Sequence, residues 1–208
     1  MYIVELTCLL RCSKIQCVVS DNKLHLRRIT MKFFEVDLNG YNAKLPILPL
    51  PSGVNIAFFN LHGNQEMTEH CGKELAKLVK GCDVLLTAES KGLQLTHVMA
   101  RELGQPYYAV ARKSKKLYMQ DGIEVEIKSS ITTGAVQKLY LSKHDSELMK
   151  GKKVCIVDDV VSTGNSLEGL EKLVEMSGGE IVNKAFVLAE GQAAERKDIV
   201  FLGVIPLL

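Results

Sequence analysis

The chain is predicted to be an α/β protein, with a central parallel sheet flanked by helices behind a β-rich amino-terminal segment. Three observations carry this. From about residue 61 onward, short apolar runs alternate with stretches of helical apolar spacing, the rhythm of parallel strands joined by right-handed crossovers. The runs D-V-L-L at 83–86 and V-C-I-V at 154–157 hold their apolar residues consecutively, as strands covered on both faces do. Residues 1–60 instead show short alternating runs punctuated by turn residues.

Each element follows in order. The first sixty residues offer strands at I-V-E-L (3–6), I-Q-C-V-V (15–19), L-H-L (24–26), F-F-E-V-D-L (33–38), L-P-I-L-P-L (45–50) and V-N-I-A-F-F (54–59). Asp21-Asn22, Asn39-Gly40 and Ser52-Gly53 supply the turns. Asn64 is a suitable N-cap for a helix over Gln65–Lys80, whose apolar stripe runs through Met67, Cys71, Leu75 and Leu78. A strand Asp83–Thr87, a helix Leu93–Leu103 and a strand Tyr107–Ala111 come next. Lys113–Ser142 is polar, with a turn at Asp121-Gly122 and two alternating runs, I-E-V-E-I-K and A-V-Q-K-L-Y-L, around T-T-G. A strand from Lys153, a helix from near Leu167 to Met176 stopped by Gly178-Gly179, and strands Ile181–Ala189 and Ile199–Pro206 complete the chain. The expected division is a β-rich hood or extension at 1–60 and an α/β core at 61–208. Met31 stands as an alternative natural start, and residues 1–30 have no reading beyond a β-rich extension.

At 208 residues the chain can carry one ordinary core. With 26 basic against 24 acidic residues, no global field recruits nucleic acid or an anionic membrane. No apolar stretch approaches a membrane span, and the brief C-L-L run near the amino terminus is too short for a signal peptide, so a cytoplasmic protein is expected. The six cysteines contain no C-x-x-C pair, which argues against zinc and for a reducing compartment. Cys8, Cys12 and Cys17 read as small hydrophobes in an alternating region, and Cys155 as a core residue.

Val154–Ser166 carries the chemistry. An apolar strand runs into Asp158 and Asp159, and Ser162, Thr163, Gly164, Asn165 and Ser166 then turn the chain into a helix. Ligands of open α/β sheets sit beyond the carboxyl ends of strands, so two adjacent acids there suit a ligand better than a core. A helix start exposes N–H groups and a positive dipole end, and small residues let a phosphate approach that backbone. Acids followed by a phosphate cradle are the parts needed to hold a ribose 5-phosphate. An NTPase would need an upstream G-x-x-x-x-G-K-[ST] loop, which this sequence lacks. A receiver domain would carry its acid pair on the first strand, and a bare N-cap needs only one of these residues.

Two further loops fit the same ligand. T-A-E-S-K-G at 87–92 also follows a strand and opens a helix, with Lys91 a cation for phosphate oxygens and Gly92 permitting close approach. A-R-K-S-K-K at 111–116 brings Arg112, Lys113 and Lys116 to the end of the next strand.

The Val154–Ser166 segment resembles, position by position, the phosphoribosyl-pyrophosphate signature of type I phosphoribosyltransferases. The resemblance implies that Asp158 and Asp159 face the 2- and 3-hydroxyls of a ribose as catalytic residues. It implies that Ser162–Ser166 bind the 5-phosphate, and that Ser90, Lys91 and Gly92 form the pyrophosphate loop, which in the family often has a strained or cis peptide. Arg112, Lys113 and Lys116 match the family's Arg-Lys-x-x-Lys pyrophosphate motif, sometimes used across a dimer interface, so a homodimer is expected. The 113–142 segment is similar to the flexible hairpin lid that closes over the donor and excludes water, the other reading of it being a structural two-stranded arm. Mg²⁺ would be the cofactor, held by substrate and water rather than directly by protein.

The order E-S-K-G, then A-R-K-S-K-K-L, is similar to adenine phosphoribosyltransferases, although Lys91 replaces their Arg and V-V-S-T-G-N-S their L-L-A-T-G-G-T. The implied reaction is transfer of ribose 5-phosphate to a purine, adenine in first place, with xanthine, guanine or orotate as alternatives. Glu124 and Glu126 are candidates for handling the purine proton. The rival from another class is a regulator that senses phosphoribosyl pyrophosphate without chemistry, which would add a helix-turn-helix module and a basic face.

Overall fold

The structure is a computed structural model that describes residues 3–6, 13–20, 23–50, 53–127 and 137–208. They divide into two compact units, one of residues up to 35 with 44–58 and 208, the other of 36–43 and 59–207.

In the amino-terminal part, β1 (Ile3–Leu6), β2 (Ser13–Ser20) and β3 (Lys23–Thr30) form an antiparallel sheet, with β2 and β3 paired from Ser13 opposite Thr30 to Ser20 opposite Lys23. The expected turn at Asp21-Asn22 and the cysteines at 8 and 12 lie outside the described residues. A second sheet has the order β4 (Phe33–Asp37), β5 (Asn42–Pro49), β6 (Asn55–Ala57). Its Asn39-Gly40 turn uses positive φ at both residues, 57° and 100°, as a tight hairpin turn demands.

The larger unit holds a five-stranded parallel sheet. Helix α1 (Gln65–Leu78) precedes β7 (Val84–Ala88), α2 (Gly92–Glu102) and β8 (Ala109–Ala111). A hairpin of β9 (Ile123–Ile127) and β10 (Gln137–Leu141) leads to α3 (Lys143–Met149) and β11 (Lys153–Val161). Then come α4 (Asn165–Ser177), β12 (Glu180–Glu190), a short 3-10 helix (Gly191–Glu195) and β13 (Val200–Ile205). The strand order is β13-β12-β11-β7-β8, every pair parallel. The two uninterrupted apolar runs are its central strands, and Leu85, Leu86, Val154, Cys155, Ile156 and Val157 are fully enclosed.

Four differences from the sequence reading have local causes. Helix α1 stops at Leu78 because Val79 turns extended, its N–H donating to Leu75 O. Helix α4 starts at Asn165 rather than near Leu167: Gly164, at φ +82°, makes the turn, so Asn165 and Ser166 are the first residues of the helix. The short α3 was not expected. Its signal is S-K-H-D, in which Ser142 Oγ accepts from Asp145 N at 3.1 Å and donates to Asp145 Oδ2 at 2.6 Å.

The fourth concerns the segment read as a lid. Its two strands pair from Ile127 opposite Gln137 to Ile123 opposite Leu141, and residues 128–136 between them lie outside the described residues. Val125, Ile127, Leu139 and Leu141 are buried in the main core, and Gly169 of α4 has no Cβ where Ile127 packs. Swinging the whole of 113–142 would expose those four side chains, so the hairpin stem is part of the fold. Among the described residues no helix is long and apolar enough to cross a membrane.

Candidate functional site

The sheet itself opens the site. Strand β11 pairs with β7 only as far as Val157 opposite Thr87, yet continues beside β12 to Val161 opposite Ala189. From Asp158 onward one edge of β11 has therefore lost its neighbour. That is where the acid pair stands, inside the strand rather than beyond its end. Helix α2 begins in the gap, and its first residue, Gly92, lies against Asp158. A Cβ there would overlap Thr87 Oγ1 and stand 3.0 Å from Asp158 Oδ1. Only glycine permits this approach.

The two aspartates have different surroundings. Asp159 is buried, 7% exposed, and its Oδ2 lies 3.1 Å from Lys91 Nζ. Asp158 is half-buried, and its Oδ1 accepts from Asp159 N at 2.9 Å. Burial, then the neighbouring Asp159 charge, push the Asp158 carboxyl up to about 8, against the opposing charge of Lys113.

Asp158 lines a cavity of about 150 Å³ together with Val160, Val161 and all five residues of the 162–166 turn, floored by Leu167, Leu170 and Phe186. The acid and the predicted phosphate cradle thus share one small enclosure. The cradle residues lead straight into α4, whose first backbone N–H groups and positive dipole end favour an anion at this place.

Facing this lie the two cationic loops, which are tied together. Glu89, within T-A-E-S-K-G, accepts from Lys113 N at 2.6 Å through Oε1, and its Oε2 is 2.7 Å from Arg112 Nε. Its own N–H donates to Ala111 O at 2.9 Å. Arg112 also exchanges backbone hydrogen bonds with Tyr140 of β10, at 2.7 and 2.8 Å. The peptide between Glu89 and Ser90 is cis, and Ser90 Oγ is 3.3 Å from His62 Nε2.

The predicted cations therefore sit in unequal positions. Lys91 is directed at Asp159 and Arg112 at Glu89, while Lys113 is exposed and Lys116 Nζ donates to Ser114 Oγ at 2.7 Å. Lys113 also borders a large open depression of about 630 Å³ with Glu126, Gln137, Lys138 and Tyr140. Glu124 and Glu126, the candidates for the purine proton, are exposed and both bridge to Lys138, at 2.9 and 3.4 Å. The hydrogen bond from Lys138 holds the Glu124 carboxyl below its usual range, which favours the ionised form over a proton donor. Sequence reading missed Glu89, His62 and Tyr140, because their roles depend on partners far away in the chain. Among the described residues no three His, Cys, Asp or Glu side chains are grouped closely enough to hold a metal.

Comparison with known proteins fits this geometry. Residues 60–206 match the model of the phosphoribosyl transferase domain. The chain is 30% identical over 166 residues to the adenine phosphoribosyltransferase of Thermotoga maritima, covering 79% of this chain and 92% of that one. It is 29% identical over 148 residues to the xanthine phosphoribosyltransferase of an Exiguobacterium species, covering 67% and 75%. Among solved structures, the adenine phosphoribosyltransferase of Thermoanaerobacter pseudethanolicus superposes with a TM-score of 0.62 at 22% identity, over 77% of this chain and 94% of that chain, a likeness of fold.

Proposed function

Because the chain belongs to the type I phosphoribosyltransferase family, whose members are glycosyltransferases, we propose that it moves ribose 5-phosphate from phosphoribosyl pyrophosphate to a purine, adenine in first place, releasing pyrophosphate. One observation carries this reading. The enclosure that holds Asp158 is closed on one side by the 162–166 turn and approached on another by the side-chain-free Gly92. An acid for sugar hydroxyls, a cradle for a monophosphate and a cationic loop for a second phosphate group meet within one gap of the sheet.

The chemistry follows from that arrangement. The bond from ribose C1 to the pyrophosphate oxygen breaks as a purine ring nitrogen attacks, through a state with positive charge on the ring, as in glycoside cleavage. Asp158 and Asp159 accept hydrogen bonds from the ribose hydroxyls and offset that charge. Lys91, Lys113, Lys116 and Arg112 stabilise the negative charge gathering on the departing pyrophosphate. The paired position of Lys91 has a consequence: anionic donor oxygens would compete with Asp159 for it, and binding would redistribute charge between the acid pair and the leaving group. Mg²⁺, carried on the donor's oxygens and water rather than by a protein cluster, would neutralise part of the leaving group's charge. Preference for adenine rests on the similarity to adenine enzymes, with the xanthine relatives marking the nearest alternative.

The test is pyrophosphate release with donor and Mg²⁺ across adenine, xanthine, hypoxanthine, guanine and orotate, with a DNA-binding measurement alongside. Adenine is expected to give the highest kcat/KM. Tight donor binding with no turnover on any base would overturn the enzyme reading in favour of a sensor.

A further inference from the structure

We propose that Arg196, far from the signature in sequence, is a further cation of the 5-phosphate site, held against Gly164 so that its charge supports the phosphate in the cradle. The inference rests on the reading of Ser162–Ser166 as that cradle.

Gly164 is left-handed at φ +82°, and Arg196 stands beside the place where a side chain would begin, its Nη1 3.2 Å from an ideal Cβ. The orientation of the guanidinium is fixed from its other side. Nε donates to Asp198 Oδ1 at 2.9 Å and Nη2 to Asp198 Oδ2 at 2.6 Å, a two-point fork. Asp198 is itself held by Lys184 Nζ at 2.8 Å, and Lys184 by Glu171 of α4 at 2.5 Å. The Arg196 and Lys184 bonds keep the Asp198 carboxyl well below its usual range, so the fork stays ionised.

This arrangement has a direction. Two basic and two acidic groups cancel at a distance, but the carboxylate lies on the Nε–Nη2 edge while Nη1 is the nitrogen beside the turn. The turn therefore meets the positive end of the pair. Ser162–Ser166 contains no basic residue, and a sugar phosphate brings close to two negative charges. The dipole of α4 supplies only about half a unit of positive charge. Arg196 adds the positive end of its ion pair from behind Gly164, where a side chain would meet both a left-handed backbone and a close guanidinium.

The experiment measures binding of ribose 5-phosphate by calorimetry, and inhibition by pyrophosphate, on the full chain. Arg196→Met is expected to weaken ribose 5-phosphate about tenfold, the loss of one charge-assisted interaction, while pyrophosphate changes by less than about twofold. Asp198→Asn should leave ribose 5-phosphate within about twofold or tighten it, because the guanidinium charge is no longer offset. Equal weakening by Arg196→Met and Asp198→Asn would reduce the pair to a structural link and overturn the proposal, as would parallel loss of pyrophosphate affinity. Thr163→Ala separates the two layers. If it weakens ribose 5-phosphate and Arg196→Met does not, the Arg196 inference alone fails; if neither matters, the cradle assignment fails with it.

Discussion

The two halves of the proposed donor site are built in different ways. The sugar-phosphate half is made of one continuous stretch, the end of β11, the Ser162–Gly164 turn and the start of α4 at Asn165, and its geometry is set by backbone. The pyrophosphate half is made of two loops joined by side chains, Glu89 to Arg112 and to Lys113 N, with Lys91 reaching across to Asp159. The first half is shaped by its own backbone. In the second, two of the four predicted cations already face carboxylates, so ligand binding there has to compete with existing ion pairs. The comparison predicts that backbone-level changes where the halves meet do most harm, and that single hydroxyl changes within the cradle do least.

The largest effect is expected at the meeting point. Gly92→Ala places a methyl group into Thr87 Oγ1 and against Asp158, so loop 89–92 or the acid must shift. Overpacking of this kind costs about 1–3 kcal/mol in stability, and misplacement of reacting groups by about 1 Å costs on the order of a hundredfold in rate. The expected outcome is a soluble protein with kcat/KM reduced at least about a hundredfold, read by pyrophosphate release beside a denaturation curve. Near-normal turnover would show that Asp158 and the Lys91 loop need not touch.

Next comes Asp158→Asn, which should separate function from stability. Removing one electrostatic stabiliser commonly lowers kcat about a hundred- to thousandfold. Stability should move the other way. With its carboxyl pushed up to about 8 in the fold, against 3.8 ordinarily, Asp158 binds more proton folded than unfolded between those pH values. It therefore costs stability progressively as pH rises through that window. Asp158→Asn should match wild type near pH 4 and exceed it near pH 8 in chemical denaturation. The same titration predicts that wild-type kcat/KM rises with pH through the region of 8 as the free enzyme's carboxyl ionises. A flat profile together with an unchanged stability difference would refute the account of Asp158 as an acid whose carboxyl is pushed up in the fold.

Glu89→Gln probes the stapled half. It keeps the shape but removes the charge facing Arg112 and weakens acceptance from Lys113 N, so the two loops lose their fixed spacing. A donor KM raised about tenfold with a smaller change in kcat is expected, the scale of one charge-assisted hydrogen bond. If KM fell instead, release of Arg112 for the ligand would outweigh loss of the staple, and the competition between internal and ligand anions would be the dominant feature of this half.

The same contrast governs what the sequence discloses. The cradle is readable because its parts are consecutive: V-C-I-V, two acids, then S-T-G-N-S into a helix need no distant partner to be understood. The parallel sheet is readable for a similar reason, since its two central strands are apolar on both faces. Pairing across loops is not. Nothing in T-A-E-S-K-G says that Glu89 will meet Arg112 rather than solvent, and nothing in A-E-R-K-D says that Arg196 will stand behind Gly164. In the hairpin, polar residues dominate composition, whereas Val125, Ile127, Leu139 and Leu141, on alternate positions, bury its stem. Helix α3 had a readable cap in Ser142 and Asp145, hidden by only seven residues of helix.

The smallest effect is expected from Ser162→Ala. Its hydroxyl is one of three in a turn where backbone N–H groups and the dipole of α4 act together, and Ser162 is exposed. A single neutral hydrogen bond contributes about 1 kcal/mol, so donor KM should rise only about fivefold, with kcat unchanged. Hydroxyl and backbone separate in a second variant: Gly164→Ala, which alters no hydrogen-bonding side chain, should cost more than Ser162→Ala, since it strains a φ of +82° and crowds Arg196. Parallel donor titrations of the two variants decide the point. A Ser162→Ala defect exceeding that of Gly164→Ala would mean that side chains, not the shape of the turn, hold the phosphate, and the two halves of the site would then follow one principle rather than two.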